Sequence, residues 1–333
     1  MTTYKGINGF AVQSVATNPS PLDEGQVWYN NATYAFKLAG IQVAAWASGG
    51  SLNTGRAGLG GAGTQTTSLV FGGSTGPAYV TATESYNGTS WTTLPGSMNS
   101  PRAAVVGAGT QTAALGFNGL TPGNTAVLAT TESWNGSTWT NVNSMNTARY
   151  GNAGFGIQTA ALAATGTSLT GPVAATELWN GTSWTTSPAS VNTTRYNVTG
   201  AGTQTAGVIF GGQTPPGTIV GNIELWNGTS WTTSPATLNT AANQIVSFGT
   251  QTAAVAAGGY SSPGANLAVT NLWNGSTISV SPGSLSTARY NGASGIGTQN
   301  AGLYAGGTNG ASNLATTEAW TGNTVAIKTI TTS

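Results

Sequence analysis

Cysteine and histidine are both missing from this chain, and charge is scarce. Without cysteine there is no disulfide framework and no thiolate metal site. Charged residues make up 5% of the 333 and leave a net charge of +1. That composition holds no electrostatic footprint for nucleic acid and no basic run for a membrane surface. No apolar run approaches the roughly 18 residues needed to span a bilayer, so no membrane insertion is expected. The start, Met1-Thr2-Thr3-Tyr4-Lys5-Gly6, is polar and lacks the apolar centre of a signal peptide. What is abundant is glycine, 50 residues, with threonine, serine, asparagine and alanine. Low charge with modest hydrophobicity is compatible with disorder, but 11 Trp and 10 Tyr at regular positions argue for packed β-structure. Scarce lysine with abundant Thr, Asn and Gly is the composition of exposed extracellular β-proteins. A virion protein, assembled in the cytoplasm and released by lysis, reconciles that with the missing signal. A secreted or cytoplasmic protein is the alternative.

A period of about 47 residues fills the chain from Arg56 onward, the range of propeller blades rather than helical solenoids. One marker is Tyr86-Asn87-Gly88-Thr89-Ser90-Trp91, which returns at Trp134 to Trp139 and Trp179 to Trp184. It returns again at Trp226-Asn227-Gly228 with Trp231 and at Trp273-Asn274-Gly275 with Ile278; Trp320-Thr321-Gly322 is a degenerate sixth copy. A second marker, Gly63-Thr64-Gln65-Thr66, keeps the same beat from Gly109, Gly156, Gly202, Gly249 and Gly297.

One unit, Arg102 to Thr147, reads as four strands. Ala103–Ala108 and Ala113–Phe117 are apolar runs on either side of a Gly-Thr-Gln-Thr turn, and read as buried strands a and b. Thr130–Trp134 and Ser137–Thr140 read as strands c and d, joined by Asn135-Gly136 as a two-residue type I′ turn with φ > 0 at both positions. Six such units predict an all-β fold: a six-bladed β-propeller with four antiparallel strands per blade. Strands a and b are small and fit near a crowded axis, while c and d carry Trp and Thr for the wider outer part.

The set of repeated residues resembles the Kelch repeat over roughly residues 56–325. The resemblance rests on a Gly pair after strand b, at Gly72-Gly73, Gly211-Gly212, Gly258-Gly259 and Gly306-Gly307, with Asn118-Gly119 and Thr165-Gly166 as departures. It rests also on a Glu before an aromatic, at Glu84, Glu132, Glu177, Glu224 and Glu318, and on a Trp after the turn. An Arg closes each motif, at Arg56, Arg102, Arg149, Arg195 and Arg289. The turn is shorter than is usual in that family. These two positions hold five of the seven acidic and five of the eight basic residues. The fifth unit has Ala242 and Asn271 in their place, so both charges are lost together. An intra-unit, partly buried Arg–Glu pair explains this, because losing one partner strands a charge.

Residues 1–55 do not repeat and are expected to form an N-terminal β-hairpin extension, before a propeller at 56–333. Trp46 precedes Arg56 by the same interval as Trp139 precedes Arg149, so it fits an outer strand that closes the ring on the last blade; a separate small sheet is the alternative. Glu24-Gly25-Gln26-Val27-Trp28-Tyr29-Asn30, followed by Phe36-Lys37 and Trp46, resembles short β segments of phage tail-fibre and related virion proteins. That resemblance implies an anchor to other virion proteins through residues 1–55.

No catalytic, metal or cofactor residue stands out, and the expectation is a non-enzyme. Copper radical oxidases built on Kelch propellers need His ligands and a Tyr–Cys crosslink, which this chain lacks. A sialidase Asp-box fits Gly88, Ser90 and Trp91 only in part, with Tyr86 at the Asp position. The adjacent Asp23 and Glu24 lie in a predicted turn and do not make the spaced carboxylate pair of a glycosidase. No phosphate or dinucleotide loop occurs, and no EF-hand-like acidic cluster. In a four-stranded meander the b–c and d–a connections share one face. The b–c loops differ from unit to unit while the opposite turns stay constant, so that face is free to specialise. Tyr79, Asn124, Pro216, Tyr260 and Asn309 mark those loops as candidate binding positions. The expected role is a phage tail or surface protein that binds a host glycan, a receptor or neighbouring subunits; a Kelch adaptor for protein partners is the alternative.

Overall fold

A computed structural model describes residues 3–5 and 11–330. Among the described residues it is all-β, its one helical element a 3-10 turn at Pro122–Asn124. No helix is long and apolar enough to cross a membrane. The chain divides into two compact units, Ala45–Thr321 and, separately, Met1–Ala44 with Gly322–Ser333.

The boundary therefore lies at 44/45 and 321/322, not at the expected 55/56. Pairing explains the shift. Ala45–Ser48 joins Thr317–Thr321 antiparallel, with Trp46 opposite Trp320, and takes the strand-d place of the sixth sheet. With that place filled, Trp320-Thr321-Gly322 makes no hairpin. The following strand, Thr324–Thr329, pairs with Ala35–Gln42 of the smaller unit instead. The smaller unit is thus more than a hairpin. Its five-stranded sheet runs Thr3–Lys5, Ala11–Val15, Val27–Asn30, Ala35–Gln42 and Thr324–Thr329, and the second and third strands are parallel. Trp28 and Ala39 are buried in it, and the Trp28 indole donates to Asn18 Oδ1 at 3.3 Å.

The larger unit consists of six four-stranded antiparallel sheets in a propeller-like array. They cover 60–93, 106–142, 153–190, 199–237, 246–280, and 297–321 with 45–48. Sheet 2 shows the plan: strands a to d are Val106–Gly109, Ala114–Phe117, Thr131–Trp134 and Trp139–Val142. Strand a starts three residues later than expected, because Ala104 adopts a left-handed conformation at φ 54° and breaks the apolar run. Short two-stranded hairpins fold within the b–c loops of sheets 3, 4 and 5.

The Asn-Gly turns differ from expectation as well. Tyr86 pairs with Trp91, and Trp134 with Trp139, so the loop has four residues rather than two. Only the glycine is left-handed, at φ 93–96° in five copies. The asparagine acts through its side chain. Its Oδ1 accepts the N–H groups two and three residues on, at 2.8–3.0 Å in all five copies. Such an Asx turn gives the backbone a local partner that a two-residue loop does not need.

Neighbouring sheets are held by a repeated set of contacts. The strand-d indole donates to a threonine hydroxyl on strand c of the preceding sheet at 2.8–3.0 Å: Trp139 to Thr83, Trp184 to Thr131, Trp231 to Thr176 and Trp46 to Thr270. Trp91 of the first sheet donates in the same way to Thr317 of the sixth, at 3.0 Å. The turn glutamines clasp the same interfaces. Gln111, Gln158, Gln204, Gln251 and Gln299 donate to the carbonyls of Tyr86, Trp134, Trp179, Trp226 and Trp273, and Gln65 to that of Trp320, all at 2.5–2.7 Å. Between sheets 4 and 5 the indole and its acceptor are both absent. Ile278 and Ile223 stand there within an apolar cluster.

Candidate binding face and axial cavity

Two residues after each repeat Arg position, the chain turns left-handed. Gly58, Ala104, Gly151, Asn197, Gln244 and Asn291 all have φ of 50–65°. Gly is the residue that tolerates this conformation without strain. At Gly58 it is also sterically required, since a Cβ would lie 2.9 Å from the Ala104 amide nitrogen. These kinks are linked to one another by backbone hydrogen bonds. Gly58 N–H donates to Asn291 O at 2.8 Å, Asn291 N–H to Gln244 O at 2.8 Å, and Gln244 N–H to Asn197 O at 2.9 Å. Val198 N–H reaches Gly151 O at 3.1 Å and Val105 N–H reaches Gly58 O at 3.3 Å. All six of these left-handed residues line one cavity.

They surround a cavity of about 480 Å³ on the face of the b–c loops. That size suits a small ligand, whose pockets run roughly 300–1,000 Å³. Its polar lining is neutral. Asn124, Asn197, Asn291, Asn313 and Gln244 supply amides, and Tyr79, Tyr150 and Tyr290 supply rings with hydroxyl tips. No Asp, Glu, Lys or Arg lines it. The rim is braced from loop to loop. The Tyr79 hydroxyl donates to Asn124 Oδ1 at 2.5 Å, Asn313 Nδ2 to Ser74 O at 2.8 Å, and Asn266 Nδ2 to Asn309 O at 2.5 Å.

Of the five candidate positions, Tyr79 and Asn124 line the cavity. Pro216 is exposed on its loop, outside the lining. Tyr260 is half-buried and packs its ring 5.4 Å from that of Tyr290; Asn309 serves the rim through its carbonyl. The lining residues Asn197, Gln244, Asn291, Tyr150 and Tyr290 were not among the candidates. The signal for Asn197 and Asn291 is the Gly/Asn bias two residues after the Arg, which marks a left-handed position.

The ten repeat charges face each other and not the cavity. Arg56–Glu84, Arg102–Glu132 and Arg195–Glu224 meet at 2.5 Å, and Arg149–Glu177 and Arg289–Glu318 are paired alike. All ten side chains are buried. Burial pulls the Arg56, Arg102, Arg149 and Arg195 guanidiniums below their ordinary pKa, against the pull of the partner carboxylate. Each pair also ties strands together. Arg56 Nη1 donates to the carbonyls of Gly72 and Ala82 at 2.8 and 2.9 Å. The second Glu oxygen accepts the backbone N–H of Asn53, Asn99, Asn146, Asn192 or Ser286 at 2.7–2.8 Å. In the fifth sheet Asn239 Nδ2 instead donates to Asn271 Oδ1 at 3.3 Å.

No family model matches the chain, and no curated protein matches it. Among solved structures it is similar to that of YjhT, with a TM-score of 0.67 at 15% identity over 83% of this chain and 99% of that one. At this identity the likeness speaks to the fold alone.

Proposed function

We propose that the protein is a non-enzymatic virion component, a closed six-bladed propeller of Kelch-like repeats that binds a neutral host glycan through its b–c face. The observation that carries this reading is the uncharged cavity rich in amides and tyrosines, opening among loops that differ from sheet to sheet. Amide and hydroxyl groups match the hydroxyls of an uncharged sugar, and amphipathic rings offer it apolar faces. Closure is supported by contacts between the first and sixth sheets: Trp91 to Thr317, Gln65 to Trp320 and Gly58 to Asn291. A non-catalytic role is supported by the commitment of five of the seven acidic residues to buried ion pairs. The smaller unit supplies a second part of the chain for attachment to neighbouring virion subunits.

A glycan array probed with the whole protein tests the binding reading. Recognition of neutral glycans, weakened in Asn197→Ala with Asn291→Ala, is the expected result. A folded protein that is silent on the array, yet binds a protein partner through the same face, favours the adaptor reading. Flanking genes for capsid and tail proteins are expected; their absence removes the virion reading.

A further inference from the structure

The sixth unit carries one residue more than its siblings on the innermost strand. From the Arg position to the glycine that opens the Gly-Thr-Gln turn, the interval is seven in five units, as from Arg102 to Gly109 or Ala242 to Gly249. From Arg289 to Gly297 it is eight. The extra residue interrupts the strand: Gly297–Thr298 stay in the ladder, where other sheets have four or five residues, and Ala293 bridges Ala305 beyond the break. A one-residue insertion of this kind bulges the chain out of its pairing.

The bulge, Ser294-Gly295, is hydrogen-bonded to sheets 4 and 5 and lies close to the backbone of sheets 1 and 2. Ser294 Oγ lies 3.2 Å from Thr199 Oγ1 of sheet 4, which is in turn 2.7 Å from Ser247 Oγ of sheet 5. Gly295 N–H donates to Ser247 O at 2.8 Å. On the other side, a Cβ built on Gly61 of sheet 1 would stand 2.7 Å from Ser294 O, and one on Gly295 would stand 3.8 Å from Gly107 O of sheet 2. Ser294 lines the 480 Å³ cavity, whereas Gly295 lines a separate cavity of about 50 Å³, and Gly107 and Gly200 border both. The bulge thus gives one residue to the lining of each space.

We infer that the bulge makes the cavity a blind cup, and that the cup receives the free end of an uncharged glycan chain rather than threading or straddling its interior; this rests on the glycan reading above. A through-passage admits a polymer at any point along its length. A cup with a floor of Ser294, Thr199 and the neighbouring glycine backbone admits only what terminates. The floor hydroxyls provide donors and acceptors for a terminal sugar, and the neutral wall gives no partner to a charged one, which would lose its hydration without compensation.

The strongest neutral glycan found on the array is titrated against the whole protein beside the same glycan bearing a bulky cap on its non-reducing end, and again beside one capped at the other end. Capping one end is expected to weaken binding at least ~10-fold, while capping the other has little effect. Ser294→Leu, which fills the floor without changing the register, is expected to weaken binding of the uncapped glycan by a similar factor at an unchanged melting temperature. Equal binding of all three glycans overturns the cup and leaves the glycan reading standing. Silence of the folded protein towards every neutral glycan overturns both. Wild-type affinity in Ser294→Leu also overturns the cup.

Discussion

Asn271 stands where five sheets hold a glutamate, and Ala242 where they hold an arginine. A buried charge needs its partner, so the paired absence is the form in which this interaction can be lost. The same logic made the pairs legible from spacing alone. Arg149→Ala strands Glu177 among buried groups and is expected to cost about 3–5 kcal/mol in a urea titration. Arg149→Ala combined with Glu177→Asn copies the fifth sheet and is expected to recover most of that loss. A single variant as stable as the parent would remove the pairing argument. The left-handed residues around the cavity were less legible. Ala104 and Gln244 have no local preference for φ > 0; Gln244 is held by backbone hydrogen bonds to Asn197 and Asn291, and Ala104 is followed by Val105, whose N–H bonds Gly58.

Tyr304 gives the molecule a pH limit. It is wholly buried, its ring 5.0 Å from the Arg289 guanidinium, and burial pushes its hydroxyl well above its ordinary value of 10.0, with Arg289 opposing and Glu318 adding. A raised folded pKa means that the folded state holds a proton the unfolded chain releases. The associated stability is therefore complete below pH 10.0 and is lost as pH rises above it. Thermal melts between pH 9 and 11 are expected to fall more steeply for the parent than for Tyr304→Phe; parallel curves would contradict this.

At the scale of elements, each sheet interface is a small set of directed contacts. The Trp–Thr bond recurs at five interfaces, and at the sixth both partners have become isoleucine. Burying Thr131 without its donor costs about 1–3 kcal/mol on top of lost packing. Trp184→Ile is expected to be strongly destabilising, and adding Thr131→Ile to relieve part of the loss, with a coupling of about 0.5–3 kcal/mol in a double-mutant cycle. A coupling near zero would make the isoleucine pair a coincidence. The strands themselves were readable because apolar runs, Trp spacing and Gly-rich turns mark them locally. The glutamine clasp was not readable. Gly-Thr-Gln-Thr looks complete as a turn, and nothing local shows that its amide reaches carbonyls on the adjoining sheet. The Asn-Gly loop misled for a related reason: its side-chain hydrogen bonds lengthen a turn that the dipeptide alone would make short.

For the whole molecule, the placement of Trp46 was legible because its distance from Arg56 repeats the interval from Trp139 to Arg149. The C-terminal strand was not, since Thr324–Thr329 looks like a worn repeat until its partner Ala35–Gln42 is known. The unit Ala45–Thr321 contains all its own sheet partners. A chain of residues 45–321 is expected to fold with a cooperative melt by circular dichroism. A chain of 49–321 lacks the strand that covers Thr317–Thr321, and that open edge is expected to lower the melting temperature and promote association. Equal behaviour of the two chains would deny Ala45–Ser48 its structural role. The bulge was countable as an extra residue between Arg289 and Gly297, but the count alone does not say which sheets the surplus meets.

The pairing of Ala45–Ser48 with Thr317–Thr321 also sets a clock. The first-made strand of the last sheet has no partner until Thr317–Thr321 has been made. At about 5–20 residues per second, a ribosome needs roughly 15–55 seconds to travel between them. Through that interval Trp46 and its edge stay uncovered, whatever sheets have already formed behind them. Completion of the sixth sheet therefore waits on the synthesis of Thr317–Thr321. A chain that stalls or is clipped before residue 317 carries both a sticky strand and an unfinished array, which marks it for aggregation or removal.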